Sequence, residues 1–372
     1  MATSFRILHI VGSLDRAWGG LSLYVAELAA QLAQQGHRVH VICQPNAGRD
    51  MWQSGEAEVG WLSPRSREWN SACETADVIH VHGLWLPFYH QALASARRRN
   101  QPHLLSIHGM LEPGALRFSR WKKRVALWLY QSQDLRRAPA LHSTAQMEYR
   151  TLRALGLRQP IVTLPPGVWL PPLERKSSLV GPLRHALFLG RIHPKKGILP
   201  LIDAWATLQP AGWQLDLAGP DESNHLAEVR TRLQERRLEQ QVIYHGSAFG
   251  QVKEKLLGEA SLLIVPSVSE NFGIVVAEGL AHGLPVITTT GTPWEVLVKE
   301  QCGWWVPTGG DHLLIALREA IARSPENLLE MGQRGRLLAE REFGWPRIAR
   351  QMSQVYAWLN GNTAQPECLH KE

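Results

Sequence analysis

Two glutamates stand with seven residues between them in the stretch Ser261–Thr290, SLLIVPSVSENFGIVVAEGLAHGLPVITTT. Glu270 sits in a short polar loop after the apolar run Leu262–Val265. Glu278 sits inside the helical pattern that follows, before a second apolar run at Pro285–Thr289. Gly273 lies near the start of that helix, and Gly283 with Pro285 supplies its stop. A helix start presents unpaired backbone N–H groups and the positive end of the dipole, which suit a phosphate. Carboxylates beside it suit sugar hydroxyls. The pattern therefore points to a grip on a nucleotide sugar. The plainer alternative is a pair of ordinary helix-start carboxylates, but Glu278 interrupts an apolar face and needs a partner there.

A second cluster of charge lies in Gly190–Gly197, GRIHPKKG, directly after another apolar run. A diphosphate leaving group needs cations or a metal to take up developing negative charge. Arg191 offers a planar fork to two oxygens and Lys196 a point charge. No Asp-x-Asp motif is present, so Arg and Lys would stand in for a metal and no metal cofactor is expected. Two further runs end in His-Gly, at His82-Gly83 and His108-Gly109. Ligands of open parallel sheets sit beyond the carboxyl ends of the strands. Both histidines are thus placed at a site edge, unless each only bonds a local carbonyl.

The elements that must hold these residues follow an alternating grammar. Strands are expected at Phe5–Val11, Arg38–Cys43, Asp77–Val81, Leu104–Ile107, Ala140–His142 and Ile161–Leu164, with helical patterns between them. The segment Leu164–Pro182 is dense in Pro and Ser and reads as a linker. The grammar then restarts at Ala186–Leu189, Trp213–Ala218, Gln241–His245, Leu262–Val265, Pro285–Thr289 and Trp304–Val306. The expected organisation is an α/β chain of two doubly wound parallel-sheet domains. Residues 1–168 form the first, 169–182 the linker and 183–345 the second. A last helix, at about 346–360, follows a Gly-Trp-Pro turn and can pack back on the first domain. The early loop GSLDRAWGG lacks the GxGxxG fingerprint, which disfavours a nicotinamide or flavin dinucleotide, and no P-loop motif occurs.

At 372 residues two domains are the prior. No apolar run reaches the ~20 residues of a membrane span. The start MATSFRILHIVG runs straight into a strand pattern without the layout of a signal peptide, so a cytoplasmic location is expected. Cys43, Cys73, Cys302 and Cys368 are scattered without metal spacing and read as reduced thiols. The net charge of +7 is uneven: through Leu170 there are 19 Lys and Arg against 11 Asp and Glu, and beyond it 21 against 22. A basic half suggests an anionic partner. The 15 Trp are dispersed without the aromatic-basic pattern of an RNA-binding sheet, so no nucleic acid partner is expected.

Taken together, GRIHPKKG, LAGPDES, SENFGIVVAEGLAHGLPVITT and the early Gly19-Gly20 make the chain resemble glycosyltransferase family 4 over nearly its whole length. These are retaining nucleotide-sugar transferases of the GT-B fold, two Rossmann-like domains facing a central cleft. The resemblance implies a role for each matching residue. Arg191 and Lys196 would bind the donor diphosphate, Glu278 the ribose hydroxyls and Glu270 hydroxyls of the donor sugar. Backbone amides from Asn271 through Phe272 and Gly273 to Ile274 would contact the sugar and distal phosphate. His108 would face the donor sugar, and Gly20 would let the early loop approach the phosphates. The implied reaction is front-face transfer to an acceptor hydroxyl with the leaving phosphate taking the proton. That agrees with the lack of a glycosidase-type pair of acid and base carboxylates.

The acceptor is less legible. Arg117–Leu129, RFSRWKKRVALWL, places Phe118, Trp121, Val125, Trp128 and Leu129 at helical spacing, with Arg117, Arg120 and Arg124 on another face. Such a helix lies on an anionic membrane surface, or packs its apolar face inward with solvated charges outside. HGMLEP (His108–Pro113) followed by WKK resembles exopolysaccharide- and lipopolysaccharide-type members. The implied acceptor is a glycan or lipid-linked sugar of surface polysaccharide assembly, with the protein peripheral at the inner membrane face. Two rivals are a nucleotide-sugar epimerase on the same fold and a non-catalytic sugar-nucleotide-binding protein.

Overall fold

The computed structural model describes residues 4–15, 20–44, 67–117, 119–172 and 183–371. Gly19, Phe118 and most of the expected linker lie outside them. The described chain divides into two compact units: Met1–Gly167 with Trp345–Glu372, and Val168–Gly344. Its strands are β1 (Arg6–Val11), β2 (Arg38–Ile42), β3 (Val78–His82), β4 (His103–Ser106), β5 (Ala140–Ser143), β6 (Ile161–Thr163), β7 (Arg184–Leu189), β8 (Trp213–Ala218), β9 (Val242–Tyr244), β10 (Leu262–Val265), β11 (Val286–Thr289), β12 (Gly303–Val306) and β13 (Leu369–His370).

In the first unit the sheet order is β13-β6-β5-β4-β3-β1-β2. All neighbours run parallel except β13, which pairs antiparallel with β6. Strands covered on both faces read as continuous apolar runs, and β3 and β4 are buried throughout. The helix Trp345–Leu359 buries Trp345, Ile348, Ala349, Met352, Val355 and Tyr356, a helical stripe that packs in one cluster with Tyr24, Val25, Leu28 and Leu32 of the helix Gly20–Gln34.

In the second unit the order is β12-β11-β10-β7-β8-β9, all parallel. The connections reverse direction between β7 and β10. At such a switch point the loops leaving neighbouring strands part and open a crevice for ligands. The first unit has the same reversal between β1 and β3. Both units are Rossmann-like, and the architecture is GT-B.

Two departures from the sequence reading matter. The short strand β13 has only two residues and no periodicity to betray it. The segment expected as one helix over Arg117–Leu129 is broken instead: Pro113–Leu116 is one turn, Arg120–Ala126 a short α-helix, and Leu127–Gln131 continues as a π-helix. Its apolar side is not packed inward. Trp121 is 77% exposed, Trp128 83%, Leu129 60% and Val125 50%. Among the described residues no helix is long and apolar enough to cross a membrane.

Candidate active site

The loops that leave β7 and β10 meet at the switch point of the second unit. The loop after β7 passes through a 3₁₀ turn, Pro194–Lys196, and ends at Gly197 with φ 71°. A Cβ at Gly197 would stand 2.1 Å from the backbone oxygen of Pro266, so only glycine lets the two loops approach this closely. The Val268 N–H donates to the Lys195 carbonyl at 2.8 Å and locks the contact.

That approach brings Lys196 to Glu270. The Lys196 ammonium donates to Glu270 Oε1, and the Ser267 hydroxyl donates to the same oxygen at 2.8 Å. The two charged side chains are 17% and 16% exposed. The Glu270 backbone N–H is fixed on the Gly291 carbonyl at 2.8 Å. Beyond Glu270, the Trp294 indole N–H donates to the Phe272 carbonyl at 2.6 Å, and the two rings pack with centroids 5.0 Å apart. Phe272 is therefore a core side chain, and only its backbone is available to a ligand. Gly273 caps the helix Ile274–Ala281 from the left-handed region, φ 77° and ψ 61°. The turn aims the first amides of that helix out of its end, where an anion is favoured.

Glu278 has a partner that the motifs did not name. Lys253, on the helix Gln251–Glu259, donates to Glu278 Oε1 at 2.6 Å. Both side chains are about four-fifths buried. The sequence gives a weak signal for it, a lysine in QVKEKLL with no spacing to the motif. Arg191 does not join the Lys196–Glu270 pair. Its guanidinium lies 2.8 Å from Glu222 Oε2 and is 56% exposed. These loops and the helices beside them thus hold Lys196, Lys253 and Arg191 each against a carboxylate.

His108 and Gly20 belong to the first unit. Gly20 opens the helix Gly20–Gln34, and a Cβ there would meet no atom within 4 Å. His108 follows β4 with φ 53°, an uncommon conformation for a residue with a side chain. It is held by its neighbour: the Gly109 N–H donates to Glu148 Oε1, while the other oxygen of this buried carboxylate accepts from the Thr144 N–H at 2.7 Å. His108 Nε2 lies 3.3 Å from His82 Nδ1. Burial, aided by nearby His142, holds His108 well below the usual histidine range, so the ring is neutral. His82 is fully buried and bonds two imidazoles rather than a local carbonyl.

Two family models match the chain. Glycosyltransferase Family 4 matches residues 18–170, and Glycosyl transferases group 1 matches residues 184–324. Among curated relatives, the chain is 27% identical to alpha-maltose-1-phosphate synthase of Mycobacterium tuberculosis, over 91% of this chain and 95% of that one. Among solved structures, it superposes on sucrose-phosphate synthase from Thermosynechococcus elongatus with a TM-score of 0.77 at 24% identity, over 96% of this chain and all of that one. It also superposes on HepE from Anabaena, solved in complex with UDP and glucose, with a TM-score of 0.77 at 18% identity, over 95% of this chain and all of that one. One model falls on each unit, and the second spans both switch-point loops. The chain belongs to glycosyltransferase family 4, and it is a glycosyltransferase of the GT-B fold.

Proposed function

We propose that the chain moves a sugar, with retention at the anomeric carbon, from a nucleoside-diphosphate sugar to a hydroxyl of a lipid-linked glycan in surface polysaccharide assembly. The donor is held by the second unit. The observation that carries this is the meeting of Lys196 with Glu270 beside the open helix end at Gly273. Lys196, with Arg191 swung from Glu222, takes the diphosphate charge, and no metal is invoked. Glu270 holds sugar hydroxyls and Glu278 the ribose diol. The bond from the anomeric carbon to phosphate oxygen breaks, the bond to the acceptor oxygen forms, and the acceptor proton leaves on the diphosphate. Cations fixed at the leaving group are worth most where charge develops. His108 contributes from the first unit as a neutral ring facing the donor sugar.

The acceptor reading rests on the exposed segment after β4. Trp121, Val125, Trp128 and Leu129 share one side of it, and exposed Arg117, Arg120, Lys122 and Arg124 surround them. Apolar aromatic groups ringed by cations suit an anionic membrane interface. A second reading, a phosphorylated sugar as acceptor, is favoured by the activity for which the Mycobacterium tuberculosis relative is named. Purified chain, supplied with nucleotide sugars, is offered a polyprenyl-diphosphate-linked sugar and, separately, free sugar phosphates. Transfer to the lipid-linked acceptor is expected. Transfer to sugar phosphates alone overturns the lipid reading, and interconversion of the nucleotide sugar without any acceptor overturns both.

A further inference from the structure

The first unit has a polar interior that the donor site does not use. His9, His80, His82 and His142 are all fully buried on the face of the sheet that packs against Tyr24 and Tyr356. The register explains the gathering: His9 pairs with His80, His82 with Ser106, and Ser106 with His142. Residues paired in register share a face. Burial holds His9 at about 3 and His142 at about 4, and His80 and His82 well below the usual range. All are neutral at pH 7, so each carries one N–H and one bare nitrogen.

Their partners then fix where the protons are. The Leu164 carbonyl can only accept, so His142 Nε2, 2.8 Å away, carries its proton. His142 Nδ1 must accept, so the Ser106 hydroxyl, at 2.6 Å, donates to it. Ser106 in turn accepts from His80 Nε2 at 2.6 Å, and His80 Nδ1 accepts from the Tyr356 hydroxyl at 2.6 Å. This string is closed at both ends and fully satisfied.

The second string is different. His9 Nδ1 lies 2.8 Å from His82 Nε2, and His82 Nδ1 lies 3.3 Å from His108 Nε2. His9 Nε2 is buried with no hydrogen-bond partner among the described residues. The string can run in two directions. Run from His108 to His9, it strands an N–H at His9 Nε2. Run from His9 to His108, it strands only a lone pair. Orphaned buried donors are the rarer of the two. The string therefore runs His9 to His82 to His108, leaving His108 with its proton on Nδ1.

We propose that His9 and His82 are positioning residues: they hold His108, partly buried just after β4, as a neutral ring that offers Nδ1–H as a hydrogen-bond donor to a sugar or phosphate oxygen. The inference rests on the proposed placement of His108 at the donor sugar. It excludes His108 as a general base, because its Nε2 lone pair is already occupied by His82. A metal ion on His9, His80 and His82, whose nitrogens lie within 4.8 Å of one another, is the competing reading. Both nitrogens of His80 are engaged by Ser106 and Tyr356. The 2.8 Å between His9 and His82 is a hydrogen-bond distance, shorter than the about 3.3 Å between two imidazole nitrogens on a tetrahedral zinc.

The test is the imidazole nitrogen NMR spectrum of the full chain labelled with ¹⁵N-histidine. The native protein should show His108 protonated on Nδ1 only, without change between pH 8 and pH 5.5. In His9→Leu the His108 signals should move toward a mixture of tautomers. In His9→Asn, whose amide N–H stands about where Nδ1–H stood, they should stay. In transfer assays His9→Leu should lower kcat roughly fivefold, the worth of one hydrogen bond, with the donor KM within about twofold, and His9→Asn should recover most of it. His108 protonated on Nε2, or titrating near pH 6.5, overturns the proposal from the native spectrum alone, even if His9→Leu does not fold. One equivalent of transition metal that is lost in His9→Asn also overturns it. If the tautomers are as stated but His108→Ala keeps full activity, the placement of His108 at the donor is what fails, and the positioning role fails with it.

Discussion

Glu270→Gln, set beside Lys196→Met, separates a donor site from a merely structural ion pair by sign. In the free protein the Lys196 ammonium is bound to Glu270, with both side chains about five-sixths buried. A phosphate must compete with that carboxylate for the cation. A hydrogen bond to a charged group is worth ~1.5–3 kcal/mol net, and the residual exposure puts this one at the lower end, at about 1–2 kcal/mol. Glu270→Gln removes the competing charge and keeps the shape. It should therefore tighten binding of a nucleoside diphosphate, which lacks the donor sugar that Glu270 would hold, by roughly 5–30-fold. Lys196→Met removes the cation and should weaken the same ligand at least ~10-fold. With the intact nucleotide sugar, Glu270→Gln loses its sugar contact, so transfer falls even as the diphosphate binds better. Calorimetric titration of nucleoside diphosphates, UDP first, measures the two shifts. Raising salt should shrink both. If Glu270→Gln weakens the diphosphate, or Lys196→Met leaves it unchanged, Lys196 is not the phosphate cation.

Lys253→Met leaves the Glu278 carboxylate without its cation at a site about four-fifths buried. Between the limits for exposed and buried pairs this should cost ~1–3 kcal/mol in urea unfolding, and a loss under ~0.5 kcal/mol removes the pair as a support of Glu278. Gly197→Ala forces a Cβ against the Pro266 oxygen from φ 71° and should cost about 2–4 kcal/mol while lowering donor affinity; unchanged affinity disconnects the loop contact from the site. The double change Trp121→Ser and Trp128→Ser, at highly exposed positions, should leave stability within ~0.5 kcal/mol but weaken binding to anionic vesicles roughly tenfold. Equal flotation of native and altered chain with such vesicles removes the membrane reading. His9 and His142 are buried neutral, with folded values of about 3 and about 4 against 6.5 unfolded. Their contribution is complete above pH ~6.5 and is lost as pH falls toward the folded values, because the unfolded chain then binds protons first. Stability to urea should accordingly drop steadily from pH 6.5 to pH 4.5, with a shallower slope in His9→Leu; a flat profile shows that the cluster is not neutral and buried.

All the sheet strands but β13 were legible because each is a short, largely apolar run, and burial on both faces demands that composition. The pairing of Lys196 with Glu270 was implicit in the motifs, since two loops leaving strands at a switch point must meet. Lys253 was not legible: its partner is reached through the packing of two helices, and no sequence spacing encodes that contact. The histidine strings were half visible. His80 and His82 alternate along β3 and so share a face, but only the register with β1, β4 and β5 reveals that His9, Ser106 and His142 join them. The strand β13 and the break after Arg117 went unread for opposite reasons. One is too short to carry a period. The other keeps a helical period, so its sequence gave no sign that it divides or that its apolar side faces out.

Charge is partitioned between the units in a way that bears on what each one meets. The first unit, with its C-terminal helix, holds 22 Lys and Arg against 13 Asp and Glu; the second holds 18 against 20. The donor is an anion, yet its proposed site lies in the unit without excess positive charge. The pairs on Lys196 and Arg191 accord with that placement. Under that proposal each of the two cations is held by a carboxylate until phosphate takes its place, so the unit needs no net positive charge to receive the ligand. The excess of the first unit cannot serve its histidine interior, which is neutral throughout. At Arg117, Arg120, Lys122 and Arg124 it lies in the open beside exposed tryptophans. Fixed positive charge that pairs with no carboxylate among the described residues, and that no core requires, is suited to an anionic partner from outside, and an acceptor presented at an acidic lipid surface is a partner of that kind.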